Sequence, residues 1–217
     1  MIILIKKIAP PQLRHFLQFL KNLLTWHQRN YDVPSPSLIK QRVLLRNAIP
    51  SGIWVETGTY LGDTTHFLAK RFGKVISIEP EPSLFAQAKK RFSRTPQVEI
   101  INGTSETVFP ALLPKLSGNI NFWLDGHYSG GTTWATYKGS SDTPITMELS
   151  QIEQNLGKFK KVAVLVDDVR CFQSSDPTSG YPTLDSLVDW ARRTGLNWHI
   201  EHDIFVAKSL ESKSLGS

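Results

Sequence analysis

A doubly wound parallel sheet flanked by helices, an α/β fold, is what this 217-residue sequence predicts. From Gly52 onward, short apolar runs alternate with amphipathic segments of helical period. One run, Val162-Ala163-Val164-Leu165-Val166, is apolar at every position, as a strand buried on both faces must be. The first run, Ile53-Trp54-Val55-Glu56, passes through Thr57-Gly58-Thr59-Tyr60-Leu61-Gly62 into Asp63-Thr64-Thr65 and a helix carrying Phe67 and Leu68. Strand, glycine turn and helix start in that succession set a ligand pocket at the carboxyl edge of a parallel sheet.

In chain order, Pro10-Pro11 opens a helix in which Leu13, Phe16, Leu17, Leu20 and Leu24 recur at helical spacing. Such a helix packs on its own domain or on a second subunit, giving a homo-oligomer; the pattern is shared with helices that lie on a membrane surface. Pro34-Ser35-Pro36-Ser37 marks a loop, and residues 38 to 48 read as another helix. Strands are expected near 53–56, 75–79, 97–101, 120–124 and 162–167, with helices near 63–72, 82–93, 105–115, 146–156 and 183–194. Trp198-His199-Ile200 and Ile204-Phe205-Val206 are separated only by Glu201-His202-Asp203, too short for a helical crossover, so they form an antiparallel hairpin. The expected division is a basic helical extension over 1–51, a ligand-binding domain over 52–208 and a disordered tail over 209–217.

Composition narrows the function classes. The net charge is +6, but residues 1–51 hold eight of the 25 Lys and Arg and only one of the 19 acids, Asp32. The basic excess therefore lies outside the domain carrying the glycine turn, which argues against a phosphate-tracking, nucleic-acid site there, although a basic arm could still touch RNA or anionic lipid. A single cysteine, Cys171, excludes an internal disulfide and suits a reducing compartment. No apolar run reaches the roughly 18 residues of a membrane span, and Lys6-Lys7 cut short the apolar start. The expectation is a cytoplasmic protein, peripheral to a membrane only through its basic N-terminal helix.

The glycine turn has its own chemistry. Gly58 and Gly62 let a ligand approach backbone N–H groups at a helix N-terminus. A dinucleotide site has G-x-G-x-x-G over a pyrophosphate, whereas this turn is Gly58-x-x-x-Gly62 with Glu56 at its mouth, where an acid repels phosphate and suits an ammonium group. S-Adenosylmethionine offers an ammonium, a sulfonium and a ribose without phosphate. Glu79 lies 21 residues beyond Gly58 at the end of the next strand, close to the roughly 20-residue spacing at which an acid meets ribose hydroxyls. Thr59, Tyr60 and Thr64 complete the expected cofactor contacts of the turn.

Three further acids stand at strand ends: Asp125 after Asn121-Phe122-Trp123-Leu124, and Asp167-Asp168 after Val166. If those strands are neighbours, the carboxylates converge on the rim that carries the glycine turn. Three hard oxygen donors without a thiolate cluster favour Mg²⁺ over zinc, and convergence without a cation is costly because like charges raise one another's pKa. His127, two residues past Asp125, is placed to act as a general base, or is a solvent-exposed or structural histidine.

Leu124-Asp125-Gly126-His127-Tyr128-Ser129-Gly130-Gly131, Asp142-Thr143-Pro144-Ile145 with Glu148-Leu149, and Val166-Asp167-Asp168-Val169-Arg170-Cys171 resemble segments of metal-dependent class I O-methyltransferases. Within that group the segments resemble the macrocin and novobiocin sugar O-methyltransferases and, more distantly, catechol O-methyltransferase. The resemblance covers roughly residues 52 to 208 and implies a Rossmann-like class I methyltransferase fold, whose parallel sheet closes with an antiparallel terminal hairpin. It implies Mg²⁺ on Asp125, Asp167 and Asp168, His127 as base, and adenine against Gly103-Thr104-Ser105-Glu106, with Asp125 also near the cofactor. It further implies transfer of a methyl group to a hydroxyl of a sugar, phenol or vicinal diol. Residues 128–144, rich in glycine, threonine and aromatics, depart from the catechol enzyme and read as a substrate lid or as packing against the sheet edge. Competing readings are a hydroxylase of the cephalosporin type, which the lack of a 2-His-1-carboxylate triad disfavours, an RNA methyltransferase, and a non-catalytic S-adenosylmethionine-binding module.

Overall fold

The computed structural model describes residues 11–126, 143–173 and 180–210. Two helices, α1 (Pro11–Gln28) and α2 (Ser37–Asn47), precede β1 (Ile53–Thr57). The chain then alternates through α3 (Asp63–Arg71), β2 (Val75–Glu79), α4 (Pro82–Arg91), β3 (Val98–Asn102), α5 (Ser105–Leu112), β4 (Gly118–Leu124), α6 (Ile145–Asn155), β5 (Phe159–Val166) and α7 (Leu184–Arg193). It ends in β6 (Asn197–Glu201) and β7 (Ile204–Lys208). The seven strands lie in the order β3-β2-β1-β4-β5-β7-β6. The first five are parallel, β7 runs antiparallel to β5, and β6 pairs antiparallel with β7.

The alternation expected from sequence is present, and the differences are at element ends. β4 and β5 begin at Gly118 and Phe159, earlier than expected, because Asn119, Lys160 and Lys161 make their first residues polar while the ladder between the strands already runs there. In the hairpin, Glu201 is paired with Ile204, so the connection is the two-residue turn His202-Asp203. Both turn residues have positive φ (48° and 71°), as the primed turns that match strand twist require.

Side chains alternate between the two faces of the sheet and build two cores. Val55, Phe122, Val164 and Phe205 face α5, α6 and α7, meeting Phe109, Leu149, Ile152 and Leu187. Trp54, Trp123, Leu165 and Val206 face the other way, meeting Leu68 of α3 and Val43 and Leu44 of α2. Val43 and Leu44 are fully buried (0% and 1% exposed), so the change of sequence character at 51/52 is not a break in packing. α1 is tied in at its end, where the buried Trp26 meets Tyr31 and the His202 ring edge-on. Among the described residues no helix is long and apolar enough to cross a membrane.

Candidate functional site

Register aligns the carboxyl ends of the three central strands. Thr57 is level with Leu124, and Leu124 with Val166, so Gly58, Asp125 and Asp167 leave the sheet at one height. The chains are closest at Gly58, whose φ is +84° and where a Cβ would stand 2.6 Å from the Asp125 carbonyl oxygen. Gly62, at φ +79°, caps the start of α3, and a Cβ there would meet the Phe92 ring at 2.8 Å. Glycine is required at both positions for conformation and for space.

Below the turn, Glu56 is 1% exposed, and its Oε2 accepts from Thr65 Oγ1 at 2.5 Å and Ser77 Oγ at 2.6 Å. It is thus set behind the mouth where the sequence placed it, because β1 turns its side chain toward α3 and β2. Burial pushes its carboxyl up to about 8 against the pull of the two hydroxyls, with Asp125 and Glu79 adding to the rise. Thr59, also buried, shares a 2.6 Å hydrogen bond with Ser77. Glu79 accepts from the Tyr60 N–H at 2.8 Å and the Glu81 N–H at 2.9 Å, which fastens the second acid to the glycine turn. Its carboxyl is raised by burial, with the two N–H groups opposing. Tyr60 has a positive φ of 49° and is exposed; Thr64 is half-buried in the first turn of α3.

Beyond β3, Gly103 has φ +147°, Thr104 caps α5 through the Thr107 N–H, Ser105 is buried and Glu106 is half-buried. Sequence reasoning missed Thr65 and Ser77, whose role depends on a carboxylate 9 and 21 residues away.

Asp125, Asp167 and Asp168 meet as the sequence required, each offering an oxygen within 4.8 Å of the others. Asp168 has a left-handed φ of 58°, uncommon for a residue with a Cβ, and strain of that kind concentrates at functional sites. Two cations that the sequence did not assign to the cluster stand in it. Lys40 of α2 places Nζ 2.5 Å from Asp167 Oδ2 and 3.3 Å from Asp168 Oδ1. Arg170 bonds Asp168 Oδ1 at 2.6 Å and also pairs with Asp203, the buried acid of the hairpin turn.

Among the described residues, four carboxylates meet two side-chain cations, Lys40 and Arg170. The strain appears at Asp167, pushed up to about 7 by burial and then by Asp125, with Lys40 opposing and Asp168 adding. For Lys40, burial works against the charge, but Asp167 and Asp168 outweigh it and hold the ammonium above the usual lysine range. An all-oxygen donor set fits a hard divalent ion.

A small pocket beside the cluster is lined by Asp125, Gly126, Thr143, Glu148, Asp167 and Tyr181 among others. Glu148 of α6 is 2% exposed, and its Oε1 has no hydrogen-bond partner among the described residues. Its carboxyl is pushed up to about 7, chiefly by burial. The sequence drew attention to Glu148 only as part of a motif. His127, the expected base, and most of the expected lid over 128–144 lie outside the described residues.

No family model matches the chain, and no curated protein matches it. Solved structures do. The glycopeptide N-methyltransferase MtfA complexed with S-adenosyl-L-methionine is 12% identical, with 79% of this chain and 85% of that one covered at a TM-score of 0.51. Precorrin-6y C5,15-methyltransferase from Geobacter metallireducens GS-15 is 11% identical over 83% of this chain and 90% of that one, with a TM-score of 0.49. The 23S rRNA methyltransferase ErmE is 14% identical over 81% and 68%, with a TM-score of 0.48. Strand order, terminal hairpin and the likeness to MtfA together make this the Rossmann-like fold of the class I methyltransferases.

Proposed function

We propose that this chain is an S-adenosylmethionine-dependent, divalent-metal-dependent O-methyltransferase acting on a hydroxyl of a small acceptor such as a sugar, a phenol or a vicinal diol. The observation that carries the reading is the convergence of Asp125, Asp167 and Asp168 on the sheet edge that also carries the Gly58 turn. The fold supports the donor half, since class I methyltransferases bind at this edge and a neighbour of like fold was solved with S-adenosyl-L-methionine.

In this reading Gly58 and Gly62 leave room for the donor against the backbone, with Thr59, Tyr60 and Thr64 around them. Glu56 supplies negative charge beneath the ammonium end. Glu79 receives the ribose hydroxyls, and Gly103, Thr104, Ser105 and Glu106 border the adenine. Asp125 sits between the donor and the cation site, which Asp167 and Asp168 complete. A divalent ion held there would polarise an acceptor hydroxyl and lower its pKa. His127 takes the proton as the oxygen attacks the methyl group in line, and holding both reactants in one cleft supplies much of the rate.

The test incubates the protein with isotopically labelled S-adenosylmethionine, Mg²⁺ and panels of sugars, catechols and simple phenols. Label should pass to a hydroxyl of at least one acceptor. Asp168→Ala should lose that transfer by about 100-fold or more while still binding S-adenosylhomocysteine, because metal-site residues act at the reacting centre. Full transfer in excess chelator would remove the metal from the scheme, and oxygen uptake with a hydroxylated product would replace methyl transfer by the hydroxylase reading.

A further inference from the structure

We propose that Lys40 is the residue that sets cation occupancy of the acid cluster: its ammonium and a divalent ion compete for the oxygens of Asp167 and Asp168. The inference rests on the metal reading above and adds to it a residue from the N-terminal segment, which the sequence set apart from the site.

Lys40 is aimed by its helix. Lys40, Val43, Leu44 and Asn47 stand at i, i+3, i+4 and i+7 of α2, one face of the helix. Val43 and Leu44 bury that face on the sheet, and Asn47 fixes its end through Glu201 at 3.2 Å. With that face docked, Lys40 is carried to the tip of β5.

At Asp167 the two oxygens are differently engaged. Oδ1 accepts from the Asp168 N–H at 2.8 Å, and Oδ2 faces the ammonium at 2.5 Å. A Mg²⁺ ion binds its oxygens at about 2.0–2.1 Å. An ammonium on the same oxygen would then stand beside the ion with like charge and no intervening ligand. Occupancy is therefore an exchange. The Lys40 side chain is 21% exposed, so solvent reaches it and it has somewhere to go when displaced. Arg170 does not take its place: its guanidinium is anchored on Asp203 as well as Asp168 and contributes a fixed charge. Among the described residues Lys40 is thus a tethered, replaceable positive charge at the cluster, and an incoming ion must outcompete it.

The experiment is a Mn²⁺ titration of the full chain, with free Mn²⁺ read by electron paramagnetic resonance, for wild type, Lys40→Met and Lys40→Arg at one pH and ionic strength. Expected is binding at least about tenfold tighter in Lys40→Met, since breaking a close buried pair leaves carboxylates needing a cation, and binding within about twofold of wild type in Lys40→Arg, which keeps the charge. Equal or weaker binding in Lys40→Met overturns the competition and leaves the metal reading standing. Absence of Mn²⁺ binding in all three proteins overturns the metal reading itself. If Lys40→Met unfolds in the absence of metal, recovery of S-adenosylhomocysteine binding on adding Mn²⁺ supports the exchange, and failure to recover overturns it.

Discussion

Glu56 shows how much a single buried acid controls. Its carboxyl, ordinarily near 4.5, is pushed up to about 8, so the folded chain holds that proton more tightly than the unfolded chain does. Its contribution to stability is complete below about pH 4.5, declines as pH rises, and is fully lost above about 8. Each pKa unit corresponds to about 1.4 kcal/mol, so over the roughly 3.5 units between 4.5 and 8 the loss reaches about 5 kcal/mol at most. Glu56→Gln cannot ionise, and its melting temperature should gain on wild type between pH 5 and pH 9, read by parallel thermal melts; a constant offset across that range would show that Glu56 does not titrate in the fold. A ligand ammonium above Glu56 would favour the carboxylate, so S-adenosylmethionine binding near pH 7 should release a proton from wild type and not from Glu56→Gln. Calorimetry in buffers of different ionisation enthalpy measures that release. Glu56 was legible in the sequence because it ends a strand before a glycine turn. Thr65 and Ser77, which hold it, were not, because hydroxyls at those positions have no distinguishing pattern until β2 is laid beside β1.

At the scale of elements, the site depends on how closely the β1 turn approaches the tip of β4. Gly58→Ala puts a Cβ 2.6 Å from the Asp125 carbonyl oxygen at a φ of +84°, so backbone must move on one side or the other. Strain of this kind costs about 1–3 kcal/mol per residue, and the clash adds to it. The expected outcome is a destabilised protein that has lost S-adenosylhomocysteine affinity. Gly73→Ala, where nothing lies within 4 Å, is the control and should leave both unchanged. If Gly58→Ala binds S-adenosylhomocysteine as wild type does, the turn is not the cofactor's seat. Most elements could be read because their periodicity is strong: a run such as Val162 to Val166 has no amphipathic alternative. The hairpin was legible through its short connector. Its functional consequence was not, since Asp203 reaches the cluster only after β7 has inserted beside β5 and turned its tip toward Arg170.

Over the whole molecule, the sequence and the packing divide the chain differently. Charge and proline content separate residues 1–51 from the rest, yet the sheet face formed by Trp54, Trp123, Leu165 and Val206 is closed by Val43 and Leu44 of α2. A composition boundary does not report which face a segment buries, and α2 buries Val43 and Leu44 while Leu45 stays exposed. Basic residues of this segment were set apart for the same reason, although Lys40 is spent on internal acids. Removal of residues 1–36 takes α1 and its Trp26 contact but leaves α2, so a folded protein with a lowered melting temperature is expected. Removal of residues 1–51 uncovers the apolar face and strips Asp167 and Asp168 of their lysine together. Losing a buried aliphatic side chain costs about 2–5 kcal/mol, and two of them plus the loss of the lysine pair at Asp167 approach the roughly 5–15 kcal/mol that holds a domain folded. The shorter chain should therefore bind a hydrophobic dye and melt without a cooperative transition. A cooperative melt within a few degrees of wild type would show instead that α2 is a dispensable cover and that the carboxyl edge of the sheet assembles without it.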